Sequence, residues 1–356
     1  MKLDLSFYSN KRVLITGHTG FKGSWLSAIL LDAGAQITGY SLSPNTEPSI
    51  FNLLSLQDKM DSVISDIRDF DSLKKTFNRV KPEIVLHLAA QPIVLESYKS
   101  PRYTYETNVM GTVNLLDCVR TSDSVRSVLN VTTDKVYENR EWAWGYRENE
   151  QLDGYDPYSN SKSCSELVTH SYRSSFLSDQ DVAVSTARAG NVIGGGDFAA
   201  DRIIPDCVRA ALKKENISVR NPRSIRPFQH VLDPLFAYLM ITQRQYEDIS
   251  YADCYNVGPD DADCIDTGTL ATMFCESWGD NISWQTQNVG NKHEANCLRL
   301  DCSKLKSTFD WSPRWHIGDT IKNTVEWYKT YAAGGDLMEI TQNQIAQFGQ
   351  KEIKNV

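Results

Sequence analysis

The stretch RVLITGHTGFKG, residues 12–23, decides the fold class. An apolar strand pattern leads into three glycines, Gly17, Gly20 and Gly23, and a helical pattern follows them. Glycines placed there let the chain turn tightly, let backbone N–H groups approach a pyrophosphate and let the helix pack close to the strand. This GxxGxxG spacing between a strand and a helix predicts a dinucleotide site.

The rest of the first half repeats the alternation of strand and helix. Segments typical of buried strands are RVLITG, QITGYSL, KMDSVISDI, EIVLHLAA, SVLNVTT and VAVSTARAG. Between them, FKGSWLSAILLDAG and TNVMGTVNLLDCVRT carry apolar residues at helical spacing. The alternation predicts an α/β fold, a doubly wound parallel (Rossmann) sheet with its ligands at the carboxyl ends of the strands.

The second half has a different texture, which begins at about residue 188. Loops rich in Gly and Pro (GNVIGGGDF, RNPRSIRPF and YNVGPDDADC) separate helical stretches, and the tail reads as two amphipathic helices broken at Gly334–Gly335. We predict two lobes. Residues 1–187 plus about 230–260 form the NAD-binding domain, and residues 188–229 plus about 261–356 form a smaller, loop-rich α/β lobe that binds the substrate.

The composition argues against several classes of protein. Of 356 residues 41% are hydrophobic and 23% are charged, and the net charge of −8 comes without the Lys/Arg cluster that nucleic-acid binding needs. No apolar run reaches the roughly 18 residues of a membrane span. The start MKLDLSFYSNKR lacks a signal-peptide core, which predicts a cytoplasmic protein. Eight scattered cysteines and six dispersed histidines predict free thiols and no metal.

The cofactor is expected to be NAD, although one common feature is missing. The second strand ends in Ser41-Leu42, without the carboxylate that usually grips the adenosine ribose and without an Arg or Lys for a 2′-phosphate. Lys22 could receive such a phosphate or lie in solvent. Asp66 could bond adenine or cap a helix. The cofactor candidates are Gly17, Thr19, Gly20, Phe21, Lys22, Gly23, Ser41, Asp66, Ile67, Leu88, Ala89, Ala90, Gln91, Asn108, Tyr158 and Lys162.

The stretch YSNSK, residues 158–162, is the chemical centre of the sequence. A Tyr four residues before a Lys puts both side chains on one helical face, and Pro157 suits the first turn of that helix. A free tyrosine has a pKa of about 10, too high for a base at neutral pH. A nearby ammonium and an oxidised nicotinamide stabilise the phenolate. The pair can then accept the proton of an alcohol while hydride leaves for the cofactor.

Over residues from about 11 to 330 these motifs, with LHLAAQPIV, VTTDKVYENREWAWGYREN, ARAGNVIGGGDF and IRPFQHVLDP, resemble the extended short-chain dehydrogenase/reductases that act on nucleotide sugars. Asp134-Lys135, where many sugar dehydratases have Asp-Glu, resembles the members acting on cytidine diphosphate sugars. The resemblance implies an NAD-dependent 4,6-dehydratase with CDP-glucose as substrate. It also implies a homodimer or homotetramer through helices near 103–120 and 157–178.

The resemblance further implies roles for five residues. Thr133, where the family usually has Ser, completes a triad with Tyr158 and Lys162 at the sugar C4 hydroxyl. Asp134 would protonate the departing C6 hydroxyl and Lys135 would remove the C5 proton. Lysine is ordinarily charged at neutral pH and accepts a proton only when neutral, so a second interpretation makes Lys135 a charge partner of Asp134 or of the substrate.

The substrate candidates lie mostly in the loop-rich second half. By the same resemblance Asn191, Arg202 and Arg226 match diphosphate contacts and the stretch Val219-Arg220 lies along the base; each arginine could instead be a surface charge. Glu294, which precedes LRLDCSKL, is a candidate for closing the pocket. Trp142 and Trp144 could line the pocket or belong to the core. Two rival functions stay open: a dehydratase or epimerase for another nucleotide sugar, and a catalytically silent, NAD-sensing binding protein.

Overall fold

The computed structural model describes residues 3–286 and 298–350. The strands of this part are β1 (Arg12–Thr16), β2 (Gln36–Ser41), β3 (Asp61–Ile64), β4 (Ile84–His87), β5 (Ser127–Thr133), β6 (Ala183–Ala189), β7 (Val192–Ile193), β8 (Ile217–Val219), β9 (Ile225–Pro227), β10 (Gln229–His230), β11 (Cys254–Val257), β12 (Cys264–Asp266) and β13 (Trp284–Thr286). Seven of them form one parallel sheet in the order β11-β6-β5-β4-β1-β2-β3.

Helices cover both faces of this sheet and build the region beyond its carboxyl edge. They are α1 (Phe21–Asp32), α2 (Ile50–Leu53), α3 (Phe70–Val80), α4 (Val94–Lys99), α5 (Pro101–Tyr105), α6 (Gly111–Arg120), α7 (Pro157–Tyr172), α8 (Ile203–Lys213), α9 (Leu232–Glu247), α10 (Thr267–Trp278), α11 (Ser303–Phe309), α12 (Ile317–Ala332) and α13 (Leu337–Gln350). A π-helical turn, Glu106–Met110, joins α5 to α6. Among the described helices none is long and apolar enough to cross a bilayer.

The predicted doubly wound parallel sheet is confirmed, and each of the six predicted strands lies within its quoted segment. The two tail helices are also present, as α12 and α13, on either side of Gly334–Gly335. The prediction of a loop at YNVGPDDADC was wrong in part, because Cys254–Val257 forms β11 and pairs with β6 at the sheet edge. Four residues with an asparagine among them give too short a pattern to predict a strand.

The core joins the sheet to the helices that follow it in the chain. Trp25 of α1 is fully buried and its indole N–H donates to the Gly195 carbonyl at 2.9 Å. On the other side of Gly195 lies the Trp327 ring of α12, so close that a Cβ on this glycine would come within 2.0 Å of it. Phe236 of α9 packs edge to face on Phe348 of α13 at 4.8 Å. The division into two lobes stays a prediction, since one hydrophobic cluster runs through both regions.

The register between β5 and β6 sets up the functional edge of the sheet. These strands pair along their whole length, from Ser127 opposite Ala183 to Thr133 opposite Ala189. Their ends are therefore level, and the residues that follow, Asp134 and Gly190, face each other. An added Cβ on Gly190 would lie 2.8 Å from the Asp134 carboxylate, so the chain needs a glycine at that point.

Candidate active site

A cavity of about 2030 Å³ opens at the carboxyl ends of the sheet strands, across the point between β1 and β4 where the strand order reverses. Parallel sheets bind their ligands at this position. Most of the predicted cofactor residues line it: Gly17, Thr19, Gly20, Phe21, Lys22, Gly23, Ser41, Asp66, Ile67, Leu88, Ala89, Ala90, Gln91, Tyr158 and Lys162. The predicted residues Thr133, Asp134, Lys135, Asn191, Arg202, Arg220 and Arg226 line the same cavity.

The glycine loop has the shape of an anion cradle. Gly17 has φ +77°, and an added Cβ would lie 2.8 Å from the backbone nitrogen of Ala89. A Cβ on Gly23 would lie only 2.1 Å from the Gly17 carbonyl oxygen, so α1 packs against the loop at a distance that only glycine permits. Gly20 caps α1 without a side-chain hydrogen bond, which leaves N–H groups at the helix start for an anion.

At one end of the cavity, hydroxyl groups stand where a ribose-binding carboxylate is common. The Thr19 hydroxyl lies 3.0 Å from the Ser41 hydroxyl and donates to the Leu42 carbonyl at 2.8 Å. The Asp66 carboxylate accepts hydrogen bonds from the Arg68 backbone at 2.9 Å and from its guanidinium at 2.7 Å. These bonds lower the pKa of Asp66. The cap of α3 is Asp69 and not Asp66, because the Asp69 carboxylate accepts from the N–H group of residue 72.

Lys22 lies toward the other end of the cavity. Its ammonium forms no hydrogen bond or ion pair with any residue in the described part of the chain, and it interacts electrostatically with Arg202, Lys162 and Asp134. Burial and repulsion from the two cations lower the pKa of Lys22 to about 8. The charged neighbours of Lys22 are thus catalytic candidates. The Ser41 hydroxyl, where a 2′-phosphate would lie, is not among them, so Lys22 is not placed to bind such a phosphate.

Asn108 supports the cavity wall without lining it. Its side chain accepts a hydrogen bond from the Gln91 N–H group at 2.8 Å and donates to the Gln91 carbonyl at 3.1 Å. It also donates to the Ser161 hydroxyl on α7 at 2.9 Å. The prediction that Asn108 contacts the cofactor is therefore replaced by a structural role: it holds the loop after β4 against the helix that carries Tyr158.

Helix α7 brings the central pair to the end of β5. Asp156 caps the helix and Pro157 opens it, so Tyr158 and Lys162 point to the same side. The Lys162 ammonium donates to the Val131 carbonyl at 3.0 Å, and the Thr133 hydroxyl is a neighbour of the Tyr158 hydroxyl. Burial raises the pKa of Tyr158 to about 12, and the Thr133 hydroxyl opposes this. Burial lowers the pKa of Lys162 to about 8.

Asp134 and Lys135 follow the end of β5 directly. Asp134 is buried, one carboxylate oxygen accepts from the Thr133 hydroxyl at 2.9 Å, and the other has no partner among the described residues. Burial raises the pKa of Asp134 above its ordinary value, although Lys135 and Arg226 oppose the shift. Lys135 is half-buried, and its ammonium forms no ion pair with Asp134 or with any other described residue. The site thus places a buried carboxyl group and a lysine side chain on consecutive residues at the end of β5.

Cationic side chains occupy the opposite wall. Arg226 is only 5% exposed although it lines the cavity, so it is not a surface charge. Arg202 is oriented by an ion pair with Asp197 at 3.0 Å. Arg220 lies at the outer end, 3.2 Å from the Asp201 carboxylate.

Three further predicted contacts have different outcomes. Val219 is buried in the core and does not line the cavity; strand alternation in β8 turns its neighbours Ser218 and Arg220 there instead. Trp142 packs against Tyr146 at 5.3 Å and Trp144 is 66% exposed, and neither lines the cavity. Glu294 lies outside the described residues. Sequence reasoning missed the Asp197 carboxylate, which only the fold brings to Arg202.

Comparisons with known proteins agree with this geometry. A sequence family described as GDP-mannose 4,6 dehydratase matches residues 14–324. The chain is 46% identical to CDP-glucose 4,6-dehydratase of Salmonella typhimurium, over 97% of this chain and 98% of that protein.

Solved structures support the fold. The dTDP-glucose 4,6-dehydratase of Bacillus anthracis in complex with NAD superposes with a TM-score of 0.75 at 21% identity, covering 92% of this chain and 99% of that one. The UDP-glucuronic acid 4-epimerase of Bacillus cereus, in complex with UDP-glucuronic acid and NAD, gives 0.78 at 20% identity, covering 90% and 99%. At these identities the likeness establishes the fold and leaves the reaction to the site itself.

Proposed function

The chain belongs to the GDP-mannose 4,6-dehydratase family, and we propose that it is an NAD-dependent lyase converting CDP-glucose to CDP-4-keto-6-deoxyglucose and water. One observation carries the proposal: a single cavity joins a dinucleotide loop to Thr133-Asp134-Lys135 and the Tyr158/Lys162 pair. Oxidation at C4 needs the dinucleotide and the tyrosine, whereas loss of water across C5 and C6 needs an acid and a base next to them. The identity to a CDP-glucose dehydratase supports the choice of nucleotide sugar.

NAD fits the cavity residues. The loop at Gly17 and Gly23 leaves no room for side chains and presents free N–H groups where a pyrophosphate would bind. The Ser41 and Thr19 hydroxyls suit the adenosine ribose, and the small residues Ala89 and Ala90 leave space along the wall. When bound, NAD supplies the hydride chemistry, accepting hydride from C4 of the sugar and returning it at C6.

The first proton transfer belongs to Tyr158. Its pKa of about 12 shows that burial alone opposes the phenolate, so the base needs positive charge beside it. Lys162 stands one helical turn along, and its bond to the Val131 carbonyl fixes the ammonium under the site. The Thr133 hydroxyl neighbours Tyr158 and can share the C4 oxygen of the sugar with it. Tyr158 then takes the C4 hydroxyl proton onto its phenolate oxygen.

The elimination belongs to Asp134 and Lys135. A carboxyl group with a raised pKa retains its proton more readily, and the unpartnered oxygen of Asp134 can present that proton to the departing C6 hydroxyl. Lys135 lines the cavity and forms no ion pair with a described carboxylate. In its uncharged form its side-chain nitrogen can take the C5 proton, which the C4 ketone has made acidic.

The substrate is held by the cationic wall. A buried guanidinium such as Arg226 binds a diphosphate with directed hydrogen bonds, and Asp197 presents Arg202 for the same purpose. Asn191 adds an amide donor nearby. Arg220 and Ser218 line the outer end, where the cytosine would rest.

The assembly proposed for this chain is a homodimer, pairing further into a tetramer, through α6 and α7 with the turns beside them. Met110 and Leu167 are 50% and 58% exposed on these elements, and Phe176 just after α7 is 42% exposed. Apolar side chains exposed on neighbouring helices favour burial against a second copy. The cytoplasm is the proposed location, because all the described cysteines are free thiols, as expected in a reducing compartment.

A substrate panel tests the proposed function. Purified protein with NAD is incubated with CDP-, UDP-, GDP- and dTDP-glucose and with GDP-mannose, and 4-keto-6-deoxy sugar is measured by mass spectrometry. We expect product from CDP-glucose, with none from it in Tyr158→Phe. Ketosugar from another nucleotide alone would transfer the reaction to that sugar, and a change in configuration without loss of water would indicate an epimerase. No reaction with any sugar would favour a cofactor-sensing binding protein.

A further inference from the structure

Beneath the cavity, and outside its lining, lies a buried carboxylate that the proposed reaction does not use. Glu166 of α7 accepts hydrogen bonds from the hydroxyls of Thr132 on β5 and Thr186 on β6, the latter at 2.7 Å. The Arg188 guanidinium donates to the same carboxylate at 3.0 Å. The Glu166 and Arg188 side chains are only 3% and 4% exposed. A buried ion pair of this kind stabilises a fold weakly, so stability alone gives a poor reason for it.

The position of Glu166 on α7 relates it to the catalytic pair. Tyr158, Lys162 and Glu166 are spaced by four residues and lie on one face of the helix. Each of them meets a different residue of β5: Lys162 donates to the Val131 carbonyl, Glu166 accepts from the Thr132 hydroxyl, and Tyr158 neighbours the Thr133 hydroxyl. The carboxylate thereby fixes how far α7 is advanced along β5.

The same network continues to the segment that carries Lys135. Arg188 donates to the Tyr137 hydroxyl at 2.8 Å, and Tyr137 donates to the Asn256 side chain of β11 at 2.6 Å. Tyr137 is two residues beyond Lys135. One buried chain of hydrogen bonds therefore connects the helix of the Tyr158/Lys162 pair to the turn after β5.

We propose that Glu166 is a positioning residue, whose carboxylate sets α7 against β5 and places a negative charge one helical turn from Lys162. The inference rests on the proposed function for the step it serves, the proton transfer at Tyr158. Electrostatics agree with the geometry: burial lowers the pKa of Lys162, and Glu166 is the charge that raises it. The other groups near Lys162 do not replace it, since Lys22 is a like charge, and His87 is buried with a pKa lowered to about 3 by burial and by Lys162.

This arrangement predicts the direction in which kcat/KM changes with pH. Tyr158 acts as a base only while Lys162 is charged, so kcat/KM falls at alkaline pH as Lys162 loses its proton. Glu166→Gln keeps the shape and part of the hydrogen bonding but removes the charge. The pKa of Lys162 then falls, and the alkaline limb of the profile moves to lower pH by about one unit, the usual order for one nearby charge.

The experiment measures kcat/KM against pH for the holoenzyme and its variants, with the nucleotide sugar that the wild type turns over. Thr132→Val is the matched control, because it removes a hydrogen bond to Glu166 and no charge. We expect the alkaline limb of Thr132→Val to lie at the same pH as that of the wild type. The limb of Glu166→Asp should also lie at that pH, with a lower rate. The limb of Glu166→Gln should be shifted to lower pH. Glu166→Gln with an unshifted limb overturns the proposal, and so does an equal shift in Thr132→Val.

A double variant and a direct titration of Lys162 complete the experiment. Glu166→Gln leaves Arg188 buried without its partner, and the single variant could fail to fold for that reason. In that case the double variant Glu166→Gln/Arg188→Met, which carries neither charge, replaces it. The alkaline limb of the double variant should also move to lower pH. The titration of Lys162, followed by NMR in protein labelled with ¹⁵N-lysine and assigned with Lys162→Arg, needs no turnover. It should show the same shift. It therefore separates failure of this inference from failure of the proposed function, which a wild type inactive on every sugar would show.

Discussion

Replacing Lys135 by methionine separates the two halves of the proposed reaction. Methionine keeps an apolar stem of similar length and removes the amine that would take the C5 proton. The Lys135 ammonium pairs with no described residue, so the free energy of unfolding should change by no more than about 0.5 kcal/mol. Asp134 should stay a competent acid, because Lys135 is a cation that lowers its pKa and that influence is removed.

The expected size of the effect follows from the loss of one acid–base group, about 10²- to 10⁴-fold in kcat. Oxidation at C4 depends on Tyr158 and Lys162 and should survive, leaving the ketone with elimination blocked. Stopped-flow mixing of Lys135→Met with CDP-glucose should raise the near-ultraviolet absorbance of reduced nicotinamide, with little product. Tyr158→Phe is the control and should show no rise.

Two results would contradict the role of Lys135 as the base at C5. Normal product formation by Lys135→Met would make Lys135 a charge partner of Asp134 or of the substrate. Neither absorbance nor product would mean that Lys135 is needed before elimination, most simply to position the sugar.

Three further predictions follow from the geometry. Arg226→Lys keeps the charge and loses the planar fork, so KM for CDP-glucose should rise about tenfold, and an unchanged KM would remove Arg226 from the diphosphate site. Gly23→Ala places a Cβ 2.1 Å from the Gly17 carbonyl oxygen, so calorimetry should show NAD affinity lost, whereas Gly318→Ala, with open space at its Cβ, should bind normally. Burial raises the pKa of Asp233 to about 7. The free energy of unfolding should therefore fall as the pH rises from about 4 to about 7, by up to about 1.4 kcal/mol per pH unit. Denaturant titrations of Asp233→Asn should lack most of that fall.

The parts of the fold that sequence predicts are those encoded by local patterns. The first six strands are strongly apolar, and the glycine loop has one sterically permitted form, which Gly17 and Gly23 show directly. The short edge strand β11 depends on pairing with β6, which no local pattern encodes. The family resemblance predicts that Val219 lies along the base, whereas the alternation of β8 turns its side chain into the core.

The candidate site was predictable where chemistry requires neighbours in sequence. Tyr158 and Lys162 share a helix face, so their spacing alone brings them together. The three predicted catalytic residues at the end of β5 line the cavity and are consecutive, so they are neighbours in any fold. Supporting groups come from distant segments and left no such signal. Glu166 meets Arg188 only because β5 and β6 are adjacent in the sheet.

If this chain dehydrates CDP-glucose without net oxidation, the hydride taken from C4 must return to the same sugar, and isotope transfer measures this. CDP-glucose deuterated at C4 is converted by the purified protein with NAD, and the product is examined by NMR and mass spectrometry. We expect deuterium at C6 of CDP-4-keto-6-deoxyglucose, and solvent deuterium at C5 when the reaction is run in heavy water. Release of the C4 deuterium into free reduced cofactor, with a ketosugar that keeps its C6 hydroxyl, would contradict this expectation.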